Sequence, residues 1–339
     1  MLKNSQIAED AVATQARNLP LLATRELCAG KTYIVTGANV GLGFEAAKHL
    51  ASLGAGKVVL AVRTPAKGEA AKAAIDEAAG TGAAGVVEVW PLDLERYESV
   101  KAFARRAEAE LDRIDAVVEN AAVALATRQL AEGHVKPLTV NVLSTFLLAV
   151  LLVPVMREKA RRAGDGVLPR LVVVTSRAGF EDKCKADWEG IKADPIKGMD
   201  AEDMVPVKTY PLSKVTETFA LRHLAREVVP VEKGGVILNL VCPGLCITEL
   251  GRNAPPEFAA RLRAMHASYG RTAEDGSRTL LHGAVAGVES HGTLLHSCAD
   301  GEPDVPDWVK NETEVQKNTW EFIAKELEAI EPGCVSKLL

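Results

Sequence analysis

Strand-like and helix-like stretches take turns along almost the whole chain, and this alternation constrains the fold more than any other feature. The β-branched runs are "KTYIVTG" (31–37), "KVVLAV" (57–62), "VVEVW" (86–90), "IDAVVEN" (114–120), "RLVVVTS" (170–176) and "GVILNLV" (235–241). Periodic helical stretches such as "GFEAAKHLASLG", "SVKAFARRAEAELD" and "VTETFALRHLAREV" lie between them. Such alternation gives a parallel sheet with helices on both faces, and runs without polar interruption suit strands buried on both sides. The fold class expected is α/β, a doubly wound parallel sheet of the Rossmann type. The 339 residues admit one large domain of this kind. Residues 1–30 read as an N-terminal extension, 31–300 as the domain, and 301–339 as a C-terminal extension with a closing amphipathic helix.

The first strand runs into "TGANVGLG", with glycines at 37, 41 and 43 at the opening of a helix. A glycine turn between an apolar strand and a helix lets backbone approach a pyrophosphate. Free N–H groups and the helix dipole then favour its charge. Asn39 and Leu42 lie in the same turn. A tyrosine precedes a lysine by four residues twice, in "YESVK" (Tyr97, Lys101) and in "TYPLSK" (Tyr210, Lys214). Residues four apart share a helix face, so either lysine can approach its tyrosine. A nearby ammonium lowers a phenol pKa that is ordinarily near 10 and makes the tyrosine usable for proton transfer. The first pair follows the third strand and has no serine-bearing strand end beside it. The second follows the strand that ends in Ser176, and is taken as the chemical one. Pro211 is expected in the first turn of its helix, where a missing N–H costs nothing.

The Gly-x-x-x-Gly-x-Gly spacing, together with these motifs in this order, resembles the short-chain dehydrogenase/reductase family from about Lys31 to Cys298. The long spacing between Ser176 and Tyr210 resembles its longer retinol-dehydrogenase-like and carbonyl-reductase-like members. The resemblance implies that Asp93 and Leu94 of "PLDL" flank an adenine ring, and that Asn120 and Ala121 of "ENAA" border the cofactor. Glu119 and Ala122 depart from the usual Asn-Asn-Ala-Gly. It further implies that Asn141 of "TVNVLSTF" holds a relay water, and that Pro243, Gly244 and Thr248 of "LVCPGLCIT" lie near the nicotinamide. Ser176 would orient a carbonyl oxygen, Tyr210 would exchange a proton with it, and Lys214 would bind the cofactor ribose.

Cofactor choice is read at the end of the second strand, "LAVRTPAKG". Arg63 and Thr64 stand where an NAD-specific member carries an acid, and a guanidinium offers planar hydrogen bonds to a 2′-phosphate. NADPH/NADP+ is therefore the expected cofactor, and carbonyl reduction the expected direction. The substrate is expected to be a bulky, partly apolar small molecule, with a specialised-metabolite role as one possibility. A dehydratase or cyclase on the same scaffold, or a dinucleotide-sensing interaction protein, stays open as an alternative. The insert 181–207 and the segment 244–270, with a helix from about Pro256 to His266, are expected to form a mobile lid that excludes water.

A net charge of −5 speaks against nucleic acid as a partner. The most apolar run, "LSTFLLAVLLVPVM" (143–156), falls short of the span a membrane needs and reads as a buried helix. Six scattered cysteines without a Cys-x-x-Cys pair, and no secretory signal, lead to a cytoplasmic protein with reduced thiols and no metal. A homodimer or homotetramer is expected, because family members pair through the helices after the fourth and fifth strands.

Overall fold

The computed structural model describes residues 15–80 and 85–338, so the first 14 residues of the N-terminal extension lie outside the described residues. Strands β1 (Thr32–Thr36), β2 (Lys57–Val62), β3 (Val87–Pro91) and β4 (Ala116–Glu119) form inside the expected runs. So do β7 (Arg170–Val174) and β8 (Ile237–Cys242), whereas β5 (Leu130–Ala131) and β6 (His134–Val135) form a separate small hairpin. Two short strands, β9 (Leu294–His296) and β10 (Ala299–Asp300), complete an eight-stranded sheet of order β10-β9-β8-β7-β4-β1-β2-β3. Every pairing in it is parallel except β9 with β10. The order reverses between β1 and β4, and ligands of doubly wound sheets bind beyond the carboxyl strand ends at such a point.

The longer helices are α1 (Gly41–Ser52), α2 (Pro65–Ala79), α3 (Tyr97–Glu110), α4 (Thr145–Ala163), α5 (Asp182–Glu189), α6 (Pro195–Asp200) and α7 (Pro206–His223). They are followed by α8 (Pro256–Tyr269), α9 (Ala273–Val285) and α10 (Thr313–Ile330). Successive strand residues serve opposite faces. Ile34, Val117 and Leu171 pack with Val100 of α3, Phe146 of α4 and Phe219 of α7. Their neighbours Val35, Val118 and Val172 pack with Leu50 of α1, Ile75 of α2 and Leu280 of α9.

Three expectations need correction. The first concerns the apolar run. A π-helical stretch, Leu138–Ser144, leads directly into α4, and the 26 residues Leu138–Ala163 are long and apolar enough to cross a membrane. The fold accounts for that apolar character, since 83% of its most apolar window is buried. Second, the insert is not a loose lid. Its helices α5 and α6 bury Cys184, Trp188, Ile196 and Met199, and Trp188 packs against Phe219 at 5.0 Å between ring centroids. Asp200 closes the insert against the small hairpin, bonding His134 Nδ1 (2.6 Å) and the Val135 amide (2.8 Å). Apolar residues scattered among charges at helical spacing anchored it there. Third, helix α7 starts at Pro206, so Pro211 lies inside the helix rather than in its first turn. Its missing N–H removes one i→i−4 bond there.

The C-terminal extension is also integral. Trp320, Ile323 and Leu327 of α10 join the core of α4 and α7, with Trp320 edge-on to Phe146 at 6.1 Å. Helix α7 is buried along nearly its full length from Leu212 to Arg222. Of the two helices expected to pair copies of the chain, α7 is thus covered from within.

Candidate active site

The glycine turn after β1 has the shape of a cradle. Gly37 and Gly41 adopt φ of +67° and +63°, values L side chains rarely take. A Cβ on Gly43 would lie 2.6 Å from Asn120 Nδ2 and 2.9 Å from the Gly37 carbonyl, so only glycine fits. Thr36 Oγ1 accepts the amides of Asn120 (3.0 Å) and Ala121 (2.9 Å), and Asn120 Nδ2 donates to the Thr36 carbonyl (2.9 Å). The ends of β1 and β4 are strapped together where the strand order reverses. Thr248 stands opposite, its methyl 3.6 Å from where a Cβ on Gly41 would be. This open, glycine-lined turn at the head of α1 fits a dinucleotide pyrophosphate, with Asn39 half-buried in it and Leu42 turned toward α9.

The residues expected to border the adenine lie at the ends of β2 and β3. Asp93 Oδ1 accepts the Glu95 amide (3.0 Å), and the buried Leu94 carbonyl accepts from Ser144 Oγ (2.7 Å). Arg63 and Thr64 are exposed at the end of β2. Arg63 pairs with Glu95, which also holds Lys136 at 2.9 Å, so two cations share one carboxylate.

At the other end, Ser176, Tyr210 and Lys214 come together at the carboxyl ends of β7 and β8. The Ser176 hydroxyl lies near the Tyr210 phenol and accepts the Ala178 amide at 3.2 Å. The Lys214 ammonium lies 5.8 Å from the Tyr210 ring centroid, donating to the Val174 carbonyl (2.8 Å) and to Glu217 (3.0 Å). Its third donor has no partner among the described residues. Burial holds the Tyr210 phenol above its ordinary pKa, while Ser176 pulls the other way. Asn141 is fully buried in the π-helical stretch, and both of its N–H donors are used. Nδ2 donates to the Val123 carbonyl (3.1 Å) and Ser213 Oγ (2.9 Å), and Oδ1 accepts the Val123 amide (2.9 Å). The side chain clamps the loop after β4 to α7, with both donors used and one Oδ1 lone pair left as an acceptor.

Two features escaped the sequence reading. Gln15, in the N-terminal extension, bonds both backbone groups of Leu245, at 3.0 Å to the carbonyl and 2.9 Å from the amide. Buried Arg271 joins the Ala16 carbonyl (2.6 Å), the Pro243 carbonyl (2.7 Å) and Ser297 Oγ (2.7 Å). The Pro243–Gly244 loop is therefore fixed from two sides, and the Gly244 φ of +78° leaves room for Gln15. The only cue in the sequence was a polar residue in an extension of mixed composition.

The family profile for short chain dehydrogenase matches residues 31–185. A short chain dehydrogenase/reductase of Cryptosporiopsis sp. (strain 8999) is 39% identical over 311 residues, covering 91% of this chain and 93% of that one. A short chain dehydrogenase of Emericella nidulans is 41% identical over 266 residues, covering 77% and 82%. The solved structure of a putative NAD(P) dependent gluconate 5-dehydrogenase from Beutenbergia cavernae, with bound NADP at low occupancy, superposes with a TM-score of 0.57. It is 25% identical and covers 81% of this chain and 98% of its own. The cofactor class is accordingly NAD(P), and the chain belongs to the short-chain dehydrogenase/reductase family of oxidoreductases.

Proposed function

We propose that the enzyme reduces a ketone or aldehyde of a bulky, partly apolar small molecule to an alcohol, using NADPH. The observation that carries this reading is the meeting of Ser176, Tyr210 and Lys214 at the carboxyl end of β7. When bound, the reduced nicotinamide supplies a hydride to the carbonyl carbon. Ser176 holds the carbonyl oxygen, and Tyr210 gives that oxygen its proton. Lys214 steadies the phenolate that remains and offers its third donor to a ribose hydroxyl.

For NADPH the support is Arg63, an exposed guanidinium whose one carboxylate partner among the described residues is shared with Lys136. A 2′-phosphate offers Arg63 a charge-assisted pair that NADH lacks. The exposed apolar side chains of Ile247 and Phe258, on the loop after β8 and on α8, favour an apolar substrate body. No residue of α8 is buried, which suits a lid. Six buried free thiols favour a reducing compartment such as the cytoplasm. A panel of carbonyl compounds, followed by loss of reduced-nicotinamide absorbance, tests the reading. Stoichiometric loss with an apolar ketone or aldehyde is expected. Substrate conversion without loss would point instead to a dehydratase or cyclase.

A further inference from the structure

Two carboxyl groups lie sealed beneath the proton-transfer site. Glu217 is one helical turn beyond Lys214 on α7, and Glu119 closes β4. They are 1% and 4% exposed, and each has an oxygen, Oε2 of Glu217 and Oε1 of Glu119, that finds no hydrogen-bond partner. The groups facing Glu217 are Lys214 on its own helix and Glu119 from the sheet. Those facing Tyr210 are Lys214 on its own helix, Ser176, Glu217, and Cys242 and Cys246 at and beyond the end of β8. One ammonium thus serves two acids. Two carboxylates in a dry site do not both ionise when only one cation is at hand.

We propose that Glu217 is a positioning residue that restrains Lys214 and masks its charge, while the neighbouring Glu119 keeps its proton. Tyr210 is thereby kept in the protonated form that carbonyl reduction consumes. The inference rests on the assignment of Tyr210 and Lys214 as the chemical pair. A bare ammonium beside a phenol favours phenolate, the form that takes a proton from an alcohol. An ammonium held 3.0 Å from a carboxylate does so less, and the negative charge of Glu217 itself raises the Tyr210 pKa. Burial lifts the Glu217 carboxyl to about 7 in spite of Lys214, and lifts Glu119 well above the carboxylate range. The mask is therefore lost in acid, when Glu217 takes a proton.

Glu217→Gln keeps shape and removes the charge. At pH 7 its ratio of alcohol oxidation to carbonyl reduction should rise about tenfold, as expected for one charge removed at close range in a dry site. The basic limb of its reduction profile should move to lower pH. A second readout needs no turnover. Because the folded Glu217 pKa lies above its ordinary 4.5, its stabilisation is present below about 4.5 and is lost as pH rises through about 7. The wild-type melting temperature should therefore fall over that window, and Glu217→Gln should flatten the fall. An unchanged ratio and an unchanged pH slope, in an enzyme that Tyr210→Phe inactivates, would overturn the inference alone. An active Tyr210→Phe would overturn the assignment beneath it. If Glu217→Gln does not fold, Glu119→Gln decides by infrared spectroscopy. The carbonyl stretch of a protonated buried acid should vanish in that variant, and its persistence would overturn the inference.

Discussion

Tyr210–Lys214 and Tyr97–Lys101 share a spacing, both lie on helices that follow sheet strands, and both tyrosines carry a phenol raised by burial. They differ in what the lysine meets. Lys101 pairs with Glu98 and with Glu331 at 3.3 Å, two carboxylates that water also reaches. Lys214 meets only a backbone carbonyl and a sealed glutamate, and keeps a donor in reserve. They differ, too, in what the phenol meets. Tyr210 has the Ser176 hydroxyl near it at the neighbouring strand end, whereas the Tyr97 hydroxyl is buried near Thr139 without a hydrogen bond among the described residues and the ring packs on the core. Spacing alone makes two residues neighbours on a helix. The strand end beside them decides whether the neighbourhood is chemical.

The sharpest way to break the comparison is to exchange the phenols for phenyl rings. Tyr210→Phe should lower turnover by about 10²–10⁴, as for a lost general acid, and leave cofactor affinity nearly unchanged. Tyr97→Phe should stay within about twofold of wild type. Steady-state kinetics on both variants checks this, and the reverse pattern would mean the wrong pair was chosen. The lysines extend the contrast to stability. Lys214→Ala strands a buried carboxylate and should cost about 3–5 kcal/mol in denaturant unfolding. Lys101→Ala, whose partners are hydrated, should leave the unfolding midpoint almost where it was. Equal losses would erase the distinction between a sealed and a hydrated lysine. The smallest effect belongs to Arg63, which lies at the end of the site near Tyr97. Arg63→Ala should raise the Michaelis constant for NADPH about tenfold, near 1.4 kcal/mol, with NADH use unaffected. Matching losses with both cofactors would assign Arg63 to the fold.

The sheet was legible because burial on both faces favours runs of Val, Ile and Leu, and all six strands are rich in them although Glu88 interrupts β3 and Asn239 interrupts β8. β9 was not, since three residues of "LLH" hold no period. The glycine turn and the Ser176–Tyr210–Lys214 set were legible because their chemistry fixes residue type and spacing. The insert was misread because Trp188, Ile196 and Met199 are diluted among lysines and aspartates, which sit on the outer faces of two short helices. Glu217 was invisible for the opposite reason. A glutamate in a helix normally faces water, and only the burial of α7 on every side shows that this one does not.

That burial has a consequence for how the enzyme responds to substrate. Where α7 and its neighbour form a subunit contact, a change at one tyrosine has a rigid route to the next active site. Here the chain has filled that route with its own Trp320, Ile323 and Leu327. Substrate saturation is therefore expected to follow a simple hyperbola, and a sigmoidal curve would count against this role of the C-terminal helix.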